Sequence, residues 1–184
     1  MNKKVNIGSV STSVKAKRAL WCVVSALLFR PFGTKLFRLW RLFLLKLFGA
    51  DVSWYCDVYS SVRLWAPWNL TMEAGSCLGP NVICYNQARV VLMRNACVSQ
   101  YAYLCTAGHD IRGMADDQPL NSAGAGLVVA DIVLMPDAWV GTQAFIGMGV
   151  TVGERAVIGA RANVFKDVEG FSVVYAPVGR SSSL

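Results

Sequence analysis

The amino-acid sequence predicts an all-β solenoid: a parallel β-helix of hexapeptide repeats, preceded by a helical appendage and interrupted by one long loop. Three observations predict it. Every sixth residue from Val128 is aliphatic, through Leu134, Val140, Ile146, Val152, Ile158 and Val164. Glycine follows four consecutive members (Gly141, Gly147, Gly153, Gly159), and the residue four places after each member is small or aliphatic (Ile132, Ala138, Ala144, Val150, Ala156, Ala162, Val168). Neither a helix with period 3.6 nor a strand with period 2 requires a strict six. A coil with three short flat faces does, because each face contributes one inward aliphatic and a second small inward residue near its corner.

The second observation is the same period earlier in the chain, with a regular defect. The series Val52, Val58, Leu64 skips eight to Met72, Leu78, Cys84, and skips eight again to Leu92, Val98, Leu104. Three coils of three hexads result, with columns twenty apart and a two-residue bulge at one corner, around Pro67-Trp68 and near Arg89-Val90. Stacked coils rise about 4.8 Å each, which makes a prism roughly 25 Å tall. The third observation is a change of composition near Gly49. Residues 1–50 hold ten Lys/Arg and no acid, whereas 51–184 hold eight Lys/Arg and all eleven acids. The net charge of +7 therefore belongs to the appendage, and such asymmetry marks a nucleic-acid or membrane-facing part.

Residues 1–49 read as a basic amphipathic segment. Ala19 to Phe29 is apolar but too short to span a bilayer, and Arg30-Pro31 ends it. Leu36 to Phe48 is dense in Leu and Phe with Arg38, Arg41 and Lys46 among them. Two short helices broken at Pro31-Phe32-Gly33 follow. They fit either an interfacial pair on an anionic membrane surface or a cap packed on the main domain with snorkelling basic stems. The apolar stretch begins only at Ala19 and no small-residue cleavage site follows, so no export signal is expected. Residues 50–176 form the β-helix domain, residues 108–127 its inserted loop, and 177–184 a tail. The loop lacks the period of six, and an excursion of this length from a compact stack is usually functional. Leu104 to Val128 spans four hexads, so the frame is expected to continue through Val128.

The six cysteines (Cys22, Cys56, Cys77, Cys84, Cys97, Cys105) show no paired spacing, and His109 is the single histidine. A Cys/His metal site is not expected, and one histidine excludes the three-histidine zinc site of a γ-type carbonic anhydrase. Reduced, buried cysteines point to the cytoplasm.

The run from Gln100 to Asp110 (QYAYLCTAGHD), the turn Asp137-Ala138-Trp139-Val140-Gly141 and the closing Val164-Phe165-Lys166-Asp167-Val168 resemble hexapeptide-repeat O-acetyltransferases. The colanic acid biosynthesis type is the nearest, among the maltose, galactoside and nodulation sugar acetyltransferases. The resemblance covers roughly residues 30–176. It implies a left-handed β-helix, an exception to the right-handed crossover rule, and a homotrimer that binds acetyl-CoA between neighbouring subunits. It also implies transfer of acetyl to a sugar hydroxyl of a cell-surface polysaccharide precursor, such as a lipid-linked oligosaccharide at the inner membrane. A non-catalytic β-helix scaffold, or transfer to a small-molecule acceptor, are the alternatives.

The chemistry of the residues agrees with transfer. A protonated hydroxyl is a poor nucleophile, and an imidazole near neutral pH is suited to remove its proton. His109 opens the long loop and is the expected general base, with Asp110 a candidate to orient its ring. Cys105, four residues earlier, is a second conceivable nucleophile. By the resemblance, Trp139 shields the thioester end of the pantetheine arm, Thr142 and Ala160 touch that arm, Lys166 lies near the phosphates and Asn86 faces the acceptor. Phe165 replaces the usual Thr before that lysine. The tail reads Ala176-Pro177-Val178-Gly179-Arg180 in place of Gly-Asn-Pro-Ala-Lys, with Arg180 as the substitute basic contact.

Overall fold

The period of six is realised as a three-sided stack of parallel strands. The structure, a computed structural model, describes residues 5–8, 10–110 and 126–177. Val52, Met72, Leu92, Leu134 and Val152 stack in register on the first face, and Val168 adds a bridge to Val152. Val58, Leu78, Val98, Val140, Ile158 and Val174 stack on the second. Leu64, Cys84, Leu104, Ile146 and Val164 stack on the third. These columns meet on the axis as one continuous core, and the small partners Ala96, Ala102, Ala138, Ala144, Ala156 and Ala162 are buried beside them. The columns stand twenty apart as the spacing placed them, and the second bulge falls at Gln87-Ala88, just before the expected Arg89-Val90, because Val90 pairs with Leu70 in the strand.

The corners explain the rest of the repeat. Among the described residues, the eight non-glycine residues with positive φ all stand three places after an inward residue: Asn81, Asn95, Tyr101, Asp137, Gln143, Arg155, Arg161 and Phe171, at φ between 55° and 61°. A left-handed conformation costs a non-glycine residue about 1 kcal/mol or more. Each such corner recovers part of that cost through its amide, as when Asn95 donates to Ala74, Gln143 to Gln100 and Arg161 to Thr142, one coil below. Glycine after the inward aliphatic has a different cause. A Cβ on Gly141 would lie 2.6 Å from the Ile158 carbonyl oxygen of the next coil, so that site admits no side chain.

The appendage closes the open end of the stack. Helix α1 (Thr12–Val24), N-capped by Ser11, runs on through a π-helical turn to Phe29. After Pro31 a short 3-10 turn leads into α2 (Arg38–Leu47). Trp21, Phe29, Leu42, Leu44 and Leu45 are buried against the first coil. That coil has no coil before it, and several of its carbonyls accept side-chain donors instead. Arg38 donates to the Trp54 and Cys56 carbonyls, Arg41 to the Val58 carbonyl at 2.9 Å, and the Trp21 indole to the Leu64 carbonyl at 2.8 Å. Arg41 also holds the Phe32 and Thr34 carbonyls and lies 3.8 Å from Asp57. Burial pulls its pKa below the usual guanidinium value, and Asp57 opposes that shift. The packed-cap reading therefore holds for one side of the helices, and two of the ten cations expected at a charged surface are spent on backbone.

Two expectations are corrected. Val128 belongs to no coil: the strand Gly126–Val129 pairs antiparallel with Ala107–Asp110, and the stack resumes with Ile132–Leu134. Thirty residues separate Leu104 from Leu134, a multiple of six that hid the displacement. The appendage also begins with a strand that its sequence did not suggest. Val5–Gly8 pairs antiparallel with Gly126–Val129, making a three-stranded sheet with the loop hairpin.

Replacing Arg41 with leucine is expected to lower unfolding stability by about 3 kcal/mol, because it leaves buried carbonyls without donors. Urea unfolding of the two proteins measures it, and an unchanged midpoint contradicts the capping role.

Candidate active site

The corner between the third and first faces carries the site. Each early coil spends eight residues there where six would close the turn, and the extra backbone must find partners. Asn86 and Thr106, both fully buried, supply them. The Asn86 side chain accepts from the Ala66 amide at 3.0 Å and donates to the Ala66 carbonyl at 2.6 Å. The Thr106 hydroxyl accepts from the Ala88 amide and donates to the Tyr85 carbonyl. Asn69 ties the same corner through the Asn86 and Gln87 carbonyls. Asn86, which the resemblance set facing the acceptor, uses both ends of its amide inside the corner. Sequence reasoning missed this clamp and Thr106 as its partner, although the eight-residue step was the signal that some polar group had to serve the bulge.

On that platform the chain leaves the stack. Strand Ala107–Asp110 starts directly after Thr106, and His109 stands opposite Leu127 in the hairpin. The His109 side chain is exposed. The Asp110 side chain, most of the predicted loop (111–125) and Arg180 lie outside the described residues. Cys105, the other nucleophile considered, is half-buried, and its thiol donates to the Ala107 carbonyl at 3.2 Å.

The remaining predicted contacts lie elsewhere on the prism. Trp139 is 51% exposed on the second face, with its indole N–H donated to the Ser99 hydroxyl at 2.8 Å. It stacks over Cys97, which stacks over Cys77. The neighbouring Cys77 thiol holds the Cys97 pKa below the usual thiol value. Thr142 and Ala160 occupy equivalent places in adjacent coils at the corner between the second and third faces, above Gln100. Thr142 donates its hydroxyl to the Gln100 carbonyl and accepts the Arg161 amide on its own carbonyl. Lys166 is exposed at the His109 corner, two coils on, beside Phe165, whose ring packs on Phe145 at 5.5 Å.

In a three-sided prism the corner between the third and first faces is opposite the second face. One chain therefore brings Trp139, Thr142 and Ala160 near one another, and His109 and Lys166 to the far edge. It does not bring the two groups together.

No family model matches the chain. The chain is 34% identical over 152 residues to the colanic acid biosynthesis acetyltransferase WcaF of Escherichia coli (strain K12), covering 83% of this chain and 78% of that one. A chloramphenicol acetyltransferase of Agrobacterium fabrum (strain C58) is 48% identical over 54 residues, 29% of this chain and 26% of that one. Among solved structures, the hexapeptide-repeat acetyltransferase of Vibrio cholerae O1 biovar eltor complexed with acetyl coenzyme A superposes with a TM-score of 0.69 at 20% identity, covering 89% of this chain and 84% of that one. A galactoside acetyltransferase in complex with coenzyme A gives 0.68 at 20% identity, covering 93% and 80%.

Proposed function

The chain belongs to the hexapeptide-repeat acetyltransferases, and from that premise we propose that it moves acetyl from acetyl-CoA to a sugar hydroxyl of a cell-surface polysaccharide precursor, with His109 as general base. The observation that carries this reading is the position of His109: exposed, on the first strand to leave the stack, on a corner stiffened by Asn86 and Thr106. The imidazole takes the proton of the acceptor hydroxyl as its oxygen attacks the thioester carbonyl carbon. The C–S bond breaks, and the departing thiolate recovers that proton from the imidazolium. Asp110 would orient the ring.

The donor fits the opposite side of a neighbouring copy. Pantetheine is slender, and the ladder of Thr142 and Ala160 presents only small side chains to it, with Trp139 as an apolar wall near the thioester. Lys166 supplies a point charge suited to a phosphate, and Arg180 would add a second. Phe165 in place of threonine puts a ring beside that lysine. Because His109 and Trp139 stand on opposite sides of one prism, a homotrimer that sets one chain's His109 corner against the next chain's second face would complete the site.

The outer sides of the appendage suit the membrane where such precursors are held. Leu36, Leu39, Phe43 and Leu47 make one exposed stripe, and Leu20, Val23 and Leu27 another, with Lys15, Lys17, Lys35 and Lys46 nearby. Among the described residues no helix is long and apolar enough to cross a membrane. Peripheral binding at the cytoplasmic face of the inner membrane is the reading these stripes support, and each cation near an anionic surface adds about 1 kcal/mol.

His109→Ala is expected to lower transfer by about 10²- to 10⁴-fold with unchanged thermal unfolding. Thiol release from acetyl-CoA in the presence of mono- and oligosaccharide acceptors measures it, and equal rates for both proteins would remove the base. In flotation with phosphatidylglycerol vesicles at low salt, the protein should rise with the lipid. A variant with Leu36→Glu, Leu39→Glu and Leu47→Glu should stay behind. Equal partition of the two would leave the helices as a cap alone.

A further inference from the structure

A groove between α1 and the third face lies outside the machinery described above. It has a volume of about 310 Å³ and is walled by Arg18, Arg30, Arg63, Trp65 and Tyr85 over an apolar floor that includes Leu64 and Ile83. A second hollow of about 220 Å³ continues it across Arg30 and Arg63 to Ser60, Ser61 and Asn81. Among the described residues, neither has a carboxylate in its wall. The Arg18 guanidinium lies 4.9 Å from the Trp65 ring centroid, and Trp65 and Tyr85 stand edge to face at 6.2 Å.

We infer that this groove binds the acceptor through a phosphate ester, with the phosphate among Arg30, Arg63 and the Ser60–Ser61–Asn81 end, and the sugar against Trp65 and Tyr85. Three guanidiniums, Arg18 and Arg30 from the appendage and Arg63 from the third face, converge here with no carboxylate among the lining residues, and a phosphate supplies the complementary charge with bidentate geometry. Aromatic rings present apolar area to the C–H face of a pyranose, while hydroxyls and an amide suit phosphate oxygens. The direction of the groove matters as much as its charge. Its anion-binding end lies at the corner between the second and third faces. Its aromatic end lies toward the third-to-first corner, where Tyr85 stands one coil below Cys105. The chain leaves the stack two residues later, and His109 follows. A sugar stacked on Tyr85 thus presents its hydroxyls toward the strand that carries the base, with the phosphate anchored on the far side.

This assignment of the acceptor class rests on the acetyl-transfer reading, but binding can be measured without it. Calorimetric titration with glucose 1-phosphate and with glucose is the test. The phosphorylated sugar should bind at least about tenfold more tightly, and more weakly as salt rises. Replacing Arg30 and Arg63 together with alanine should remove that advantage, whereas Arg155→Ala, outside the groove, should keep it. Unchanged circular dichroism and thermal unfolding establish that each variant is folded. Titrating uridine diphosphate glucose against a short isoprenyl diphosphate glucose then tells a nucleotide-borne from a lipid-borne acceptor; tight binding of either supports the groove. His109→Ala should bind glucose 1-phosphate as the parent does. If that variant loses transfer while the arginine pair proves irrelevant to binding, the base stands and the groove falls. If phosphate-dependent binding through the arginines is found but no acetyl moves, the groove stands and the transfer reading falls. Equal affinity for glucose and glucose 1-phosphate overturns the inference.

Discussion

A stack of coils held together by hydrogen bonds along its axis always ends on unpaired backbone, and the rest of this molecule depends on how that end is closed. Exposed strand edges invite pairing with other chains unless something covers them. Here the cover is chemical as well as steric. Guanidinium groups carry five donors and no acceptor, and Arg38 and Arg41 give theirs to the carbonyls of Trp54, Cys56 and Val58. Trp21 does the same for Leu64. With the end closed, α1 is held along the third face, and the basic groove exists only because it is held there.

The second constraint is the triangle itself. Six residues per face and three faces per coil fix which residues are neighbours along the axis and which are separated by the full width of the core. The extra residues of the early coils all emerge at one corner, so the bulges at Pro67–Asn69 and at Gln87–Ala88 and the departing strand Ala107–Asp110 rise one above another. Asn86 and Thr106 fill the inside of that corner with hydrogen bonds, which gives His109 a rigid base. The same geometry keeps His109 away from Trp139 in any single chain. The proposed reaction, which uses both, would draw on two copies of the chain.

Much of the fold was legible, and for a clear reason. Inward columns are decided by burial alone, so a period of six in aliphatic residues predicts register residue by residue, and Val52, Met72 and Leu92 do stack. The helical break at Pro31 was legible through proline chemistry. Other features depended on contacts that no local pattern encodes. The strand Val5–Gly8 finds its partner more than a hundred residues away. Val128 fits the period by arithmetic yet sits in a hairpin. Arg41 looks in sequence like a surface cation, and only the open end of the stack makes it a buried donor. Asn86 was singled out by resemblance, but the hydrogen bonds its amide makes with Ala66 across the bulge are long-range and no local pattern encodes them. For the site, the places of Thr142 and Ala160 on the coils agree with the period of six, whereas the hairpin that carries His109 and the groove roofed by α1 could not be counted out.

The proposal that the site is completed between chains is open to one direct measurement. His109→Ala and Trp139→Ala proteins, each depleted in acetyl transfer, are dissociated, mixed and reassembled. A site that takes its base from one chain and its indole from the next should regain activity in the mixture, because some interfaces then join an intact His109 to an intact Trp139. A mixture no more active than the two variants kept apart would contradict a shared site and return the reaction to a single chain.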